Sequence, residues 1–294
     1  MASILTTAEE LHDALSAGRY ADGGPVRVLD VRWRLDRPDG RPDYRAGHLP
    51  GAQYVDLDHD LATHGAPTEG RHPLPSLESF ERTARRWGVD EGDTVVVYDD
   101  LKNMSSARAW WLLRAAGVAD VRLLDGALTA WTEAGFALEE GDAATPAPGS
   151  ISLAYGAMPT LALDEVAAFA EDGLLLDARA GERYRGEVEP IDPRAGHVPG
   201  AVSAPTTENV GGDGRFRSPD DLRSRFQMLG ADDGMSVGVY CGSGVTAAHQ
   251  AVALTLAGFE PRVFAGSWSQ WSNHPELPVA TGPEPRCGIT PTGR

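Results

Sequence analysis

One unit is written twice along this chain, so any fold it adopts must accommodate that unit twice. VLDVR (Val28 to Arg32) returns as LLDAR (Leu175 to Arg179), and RAGHLPGA (Arg45 to Ala52) returns as RAGHVPGA (Arg194 to Ala201). Further on, TVVVYDD (Thr94 to Asp100) is matched by SVGVYCG (Ser236 to Gly242), and LLDGALTAW (Leu123 to Trp131) by VFAGSWSQW (Val263 to Trp271). Partner positions stand roughly 140 to 150 residues apart, which marks the duplication of a domain-sized unit and not a short-period solenoid. With 294 residues, each copy has enough chain for a core of its own.

Within each copy, stretches of helical period such as LESFERTARRWG and ARAWWLLRAAG alternate with short apolar runs such as TVVVYDD and LLLDAR. Runs that are apolar throughout belong to strands buried on both faces. The pattern therefore predicts an α/β architecture of two tandem domains, each a parallel sheet flanked by helices on both faces. The expected boundaries are 1–138 for an N-terminal domain, 139–152 for an extended linker, 153–280 for a C-terminal domain and 281–294 for a flexible tail.

The chain carries 26 basic and 43 acidic residues, a formal charge of −17 that repels nucleic acid and an anionic membrane surface alike. Neither is an expected partner, and no run reaches the ~18 apolar residues of a membrane span. The opening MASILTTAEELHDALSAG reads as a capped amphipathic helix and not as a signal peptide. With two cysteines in all, the expected setting is the reducing cytoplasm. No metal-ligand spacing is present, so neither metal nor cofactor is expected.

One of the two cysteines, Cys241, stands between the apolar run VGVY and a helical pattern, in VYCGSGVTAAHQ. In parallel sheets ligands sit at the carboxyl ends of strands, where this cysteine falls. A thiol is nucleophilic as thiolate, a form favoured by the positive end of a helix dipole. Gly242 and Gly244 permit backbone N–H groups to gather round the sulfur as an anion nest, with Ser243 and Thr246 adding hydroxyls. The alternative is a small buried hydrophobe, but the duplicate carries Asp99 at the matching position, so the fold does not require a thiol there. A cysteine phosphatase would close such a loop with an arginine six residues on. Ala247 stands in that place, which argues against phosphate esters.

Together the paired GHLPGA and GHVPGA, the paired LDVR and LDAR, the loop CGSGVT and the late GSWSQW resemble tandem-domain rhodanese-type sulfurtransferases, from about Leu5 to Trp271. The loop looks most like that of 3-mercaptopyruvate sulfurtransferases, since thiosulfate-specific members carry two basic residues where Gly242 and Ser243 stand. The resemblance implies a catalytic C-terminal domain and a non-catalytic N-terminal one, with the site in the cleft between them. Cys241 would take sulfur from 3-mercaptopyruvate as a persulfide, release pyruvate, and pass the sulfur to cyanide or to a thiol acceptor such as thioredoxin or a small thiol.

It further implies a proton relay of Ser243, His72 and Asp58, the last lying between Asp56 and Asp60, and a donor site lined by Gly242, Gly244, Val245 and Thr246. Arg183 matches the arginine that holds the donor carboxylate. Where a second arginine is expected, Ile191 and Asp192 stand instead, and Arg194 is taken to substitute, ahead of Arg185. Two alternatives stay open: thiosulfate as donor, and a persulfide carrier loaded by a protein partner.

Other conspicuous residues have plainer readings. His48 and His197 recur in both copies and are expected to be structural, as are the strand-end pairs Asp30 with Arg32 and Asp177 with Arg179. Trp268 and Trp271 fit equally a pocket wall or the core, and Cys287 reads as a dispensable exposed thiol.

Overall fold

The structure, a computed structural model, describes residues 3–285. They form two compact units. The first takes the chain up to Thr63 together with Leu74–Met158 and Gly211–Phe216, and the second takes His64–Pro73, Pro159–Val210 and the chain from Arg217 on.

The first unit comprises β1 (Leu5–Thr6), α1 (Ala8–Ala17), β2 (Val26–Asp30), α2 (Arg41–Ala46), β3 (Gln53–Tyr54), α3 (Leu57–Asp60), α4 (Leu77–Arg86), β4 (Thr94–Tyr98), α5 (Ser106–Ala115), β5 (Asp120–Leu124) and α6 (Ala127–Glu133). In the second are α7 (Leu163–Asp172), β6 (Leu174–Asp177), α8 (Gly181–Tyr184), β7 (Val202–Ser203), α9 (Pro219–Met228), β8 (Ser236–Tyr240), α10 (Val245–Leu256), β9 (Glu260–Val263) and α11 (Ser267–Ser272). Both sheets are parallel, ordered β1-β5-β4-β2-β3 and β7-β6-β8-β9. The α/β architecture read from the sequence is thus present twice. The copies differ at one edge. Where β1 pairs with β5, the second unit has a single parallel bridge from Thr160 to Val263, and the preceding Pro159 has no N–H to extend it.

The valine-rich β4 is buried along its whole length, as a strand covered on both faces must be. Around the strand ends the duplicated motifs build the same hydrogen-bonded frame. Asp30 pairs with Arg32 at 3.0 Å and Asp177 with Arg179, all four buried, and each arginine also donates to a loop carbonyl, Gly47 O or Gly196 O. Tyr98 and Tyr240, at the ends of the central strands, accept from Leu49 N–H at 3.0 Å and Val198 N–H at 3.1 Å. His48 stacks on Tyr44 and His197 on Tyr184, each with Nδ1 on that tyrosine's carbonyl oxygen. This accounts for the recurrence of both histidines in structural terms.

Residues 139–152 are laid along the first unit. Glu139 bridges His48, Gly149 N–H donates to Arg85 O at 2.7 Å, and Ile151 is buried. The beginning of the expected tail is tied to the second unit: Gly282 N–H donates to Arg185 O, and Gly200 N–H to Pro285 O. Cys287 lies outside the described residues. Among the described residues no helix is long and apolar enough to cross a membrane.

Arg179 is 4% exposed and Asp177 0%, so removing the cation leaves a carboxylate buried without its counter-ion. Arg179→Met should therefore cost about 3–5 kcal/mol, read as a lowered urea midpoint.

Candidate active site

Cys241 follows the last residue of β8, and α10 begins four residues later at Val245. The turn between them needs Gly244, whose φ of 80° lies in the left-handed region. Gly244 N–H points at Cys241 Sγ, 3.1 Å away, and the cysteine is 1% exposed. The loop's outer side is held by the start of α11. Trp268 N–H donates to Cys241 O at 2.9 Å, Ser269 N–H to Gly242 O at 2.8 Å, and Ser267 Oγ accepts from Cys241 N–H at 3.1 Å. Val245 is buried and Thr246 half-buried at the first positions of α10, whose amino end faces the loop.

Ser243, 6% exposed, shares a 2.8 Å hydrogen bond with Nδ1 of His72, 8% exposed. Three of the four expected catalytic residues are therefore gathered in the second unit, because the segment His64–Pro73 packs there. That segment is fastened to α11 and the residues after it. Arg71 N–H donates to Ser269 Oγ at 3.1 Å, and His274 Nε2 lies 3.1 Å from Thr68 O. Asp58 belongs to the first unit, in the opening turn of α3, where it accepts from Trp33 Nε1 at 3.0 Å.

Arg183 stands beside the loop. A Cβ on Gly242 would lie 3.4 Å from Arg183 Nη1 and 3.0 Å from Nη2 of a residue the sequence reading did not single out, Arg71. The two guanidinium groups share a buried acidic pair. Arg183 donates to Glu189 at 2.7 Å and Asp192 at 3.4 Å, while Arg71 pairs with Asp192. Burial pushes the Asp192 carboxyl upward, opposed by its bond to Arg71. The place where a second arginine was sought thus holds the anion that anchors one arriving from elsewhere.

Arg194 does not fill the expected role. Its guanidinium donates to four carbonyl oxygens, those of Trp271, Ser272, His274 and Leu277, at 2.7–2.9 Å. It clamps the chain after α11. Arg185 pairs with Glu187 at the surface. Trp268 and Trp271 are fully buried in the core of the second unit, their indole N–H groups donating to Arg194 O and Pro278 O, so they are core residues.

The first unit provides an internal comparison. Leu128 N–H donates to Asp99 O at 2.9 Å, as Trp268 does to Cys241 O, and Ala127 and Ser267 share a positive φ of 56° and 55° just before these donors. There, however, the loop closes on its own side chain. The Asp99 carboxylate accepts from the backbone N–H groups of Leu101, Asn103, Ser105 and Ser106 at 2.8–2.9 Å. Burial pushes this carboxyl up, and the four donors oppose the shift. A polar cleft of about 570 Å³ in the same unit, lined by Arg41, Tyr54, His59, Asp60 and Arg86 among others, contains no cysteine among the described residues.

The sequence matches the family model described as "Rhodanese-like domain" over residues 7–134 and again over 162–274. It is 47% identical over 282 residues to a Mycobacterium tuberculosis protein named "Putative thiosulfate sulfurtransferase SseB", covering 95% of this chain and 97% of that one. To a Pseudomonas aeruginosa protein named "Probable 3-mercaptopyruvate sulfurtransferase" it is 45% identical over 290 residues, covering 95% and 98%. Among solved structures it is similar to SseA of Escherichia coli, described as a 3-mercaptopyruvate sulfotransferase, with a TM-score of 0.78 at 31% identity, over 90% of this chain and 99% of that one. The chain belongs to the rhodanese family, with two rhodanese-like domains in tandem.

Proposed function

We propose that this sulfurtransferase loads Cys241 with sulfur from 3-mercaptopyruvate and passes it to an acceptor thiol or cyanide. The observation that carries this reading is the 2.8 Å bond between Ser243 and His72, two residues along the loop from the nucleophile. Attack of the Cys241 thiolate on the donor sulfur forms the S–S bond as the C–S bond breaks, and the released electron pair leaves pyruvate as its enolate. The donor's own thiol proton must then move from sulfur to the methylene carbon. Ser243 and His72 form a hydrogen-bonded chain suited to that transfer. The products are a Cys241 persulfide anion and pyruvate, with no external proton consumed. Gly244 N–H and the amino end of α10 face the sulfur that carries the charge.

A second reading, thiosulfate as donor, draws support from the two guanidinium groups over Gly242 and from the name of the mycobacterial relative. Positive charge that the neutral Gly-Ser loop lacks is supplied beside it. In that reaction sulfite leaves with its electron pair and no proton moves, so the Ser243–His72 pair has no task.

The two donors are separable by this difference. His72→Gln and Ser243→Ala should each lower kcat with mercaptopyruvate about 10²- to 10⁴-fold while changing thiosulfate turnover only a few-fold. Equal losses with both donors would set the relay aside. Intact-mass measurement after donor treatment should show one added sulfur atom on the wild-type protein and none on Cys241→Ala.

A further inference from the structure

Either donor brings negative charge to a chain of formal charge −17, so the cations beside the thiol decide how it is held. We infer that Arg71 is the donor-reading residue of this site, forming with Arg183 a two-guanidinium seat over Gly242 for the oxyanion end of the sulfur donor. The inference rests on the sulfurtransferase reading and adds to it the residue that selects the substrate.

Position is the first support. Arg71 Nη2 lies 3.0 Å and Arg183 Nη1 3.4 Å from where a Gly242 side chain would begin, so two cationic edges meet beside the residue that follows the nucleophile. The second support is how the donors are used. Arg194 engages four backbone carbonyls, as an arginine holding a fold together does. Arg71 and Arg183 instead turn one edge each to Glu189 and Asp192, whose side chains are 3% exposed. Arg71 Nη2 and Arg183 Nη1, the atoms over Gly242, make no hydrogen bond among the described residues.

Charge is the third. Two guanidinium groups this close repel, and the buried acidic pair offsets that repulsion, holding both forks in place without occupying the edges that face the loop. A fork fixed in this way suits a planar carboxylate or the oxygens of a sulfonate-like group. The missing side chain at Gly242 then has a reason, since any substituent there would enter the seat.

The test uses the full chain with mercaptopyruvate and thiosulfate as donors. Arg71→Ala should raise the KM of the donor about 10- to 100-fold with kcat within about threefold, and Arg71→Lys should recover part of the loss through charge without the fork. Asp192→Asn, which releases Arg71 from its anchor, should raise that KM in the same direction by a smaller factor. An Arg71→Ala protein with wild-type KM for both donors would overturn the inference. An effect confined to one donor identifies which oxyanion the seat holds. Thermal shifts with pyruvate and with sulfite read the seat independently of turnover. A wild-type shift that Arg71→Ala abolishes upholds the seat even where neither donor loads Cys241 and the sulfurtransferase reading falls, and an equal shift in both proteins overturns it.

Discussion

Ser269 joins the two halves of the proposed catalytic apparatus. Its N–H holds Gly242 O, fixing the outer side of the Cys241 loop, and its hydroxyl accepts the N–H of Arg71, fixing the segment that carries Arg71 and His72. The residue is fully buried, and its hydroxyl donates onward to Gly266 O at 3.1 Å. All three polar contacts come from the first turn of α11, a helix of only six residues. A short helix is held by tertiary contacts more than by propensity, and here those contacts are Trp268 and Trp271 in the core and the Arg194 clamp behind. The order of the loop is thus inherited from the packing of two indoles.

The two copies show how one scaffold can be closed or open at the same point. Both hold the strand-end carbonyl from outside in the same way, through Leu128 or Trp268. In the first copy the carboxylate of Asp99 takes four inward-facing N–H groups, and the loop becomes a satisfied piece of interior. In the second a thiol stands there, shorter by one polar branch, and Gly244 N–H turns to it. The position that holds a thiol in one copy holds a cap for the backbone in the other.

Much of this was legible in the sequence because duplication supplies its own control. The recurrence of His48 and His197, and of the Asp–Arg pairs, marks them as framework, and the difference between Asp99 and Cys241 singles out the copy proposed to be reactive. What escaped were residues whose partners lie far away in the chain. Arg71 was passed over because cations were sought only downstream of LLDAR, in the copy bearing the thiol, whereas residues 64–73 fold with that copy while lying inside the span of the other. Arg194 misled for the opposite reason. It sits near the right place in sequence, but its four bonds go to carbonyls that no linear pattern reveals as neighbours. The Gly-Ser loop itself is neutral, and the charge beside Gly242 comes from Arg71 and Arg183, side chains that lie outside it.

That placement of residues 64–73 has a consequence for the history of the chain. A gene encoding the second copy alone, starting near Pro159, would specify Cys241 and Ser243 but neither Arg71 nor His72. If those two side chains act as proposed, the thiol-free copy is not a spare that drift could delete. On the proposed reading it encodes, within its own span, two side chains of its sibling's site, so the two halves are inherited as one functional unit.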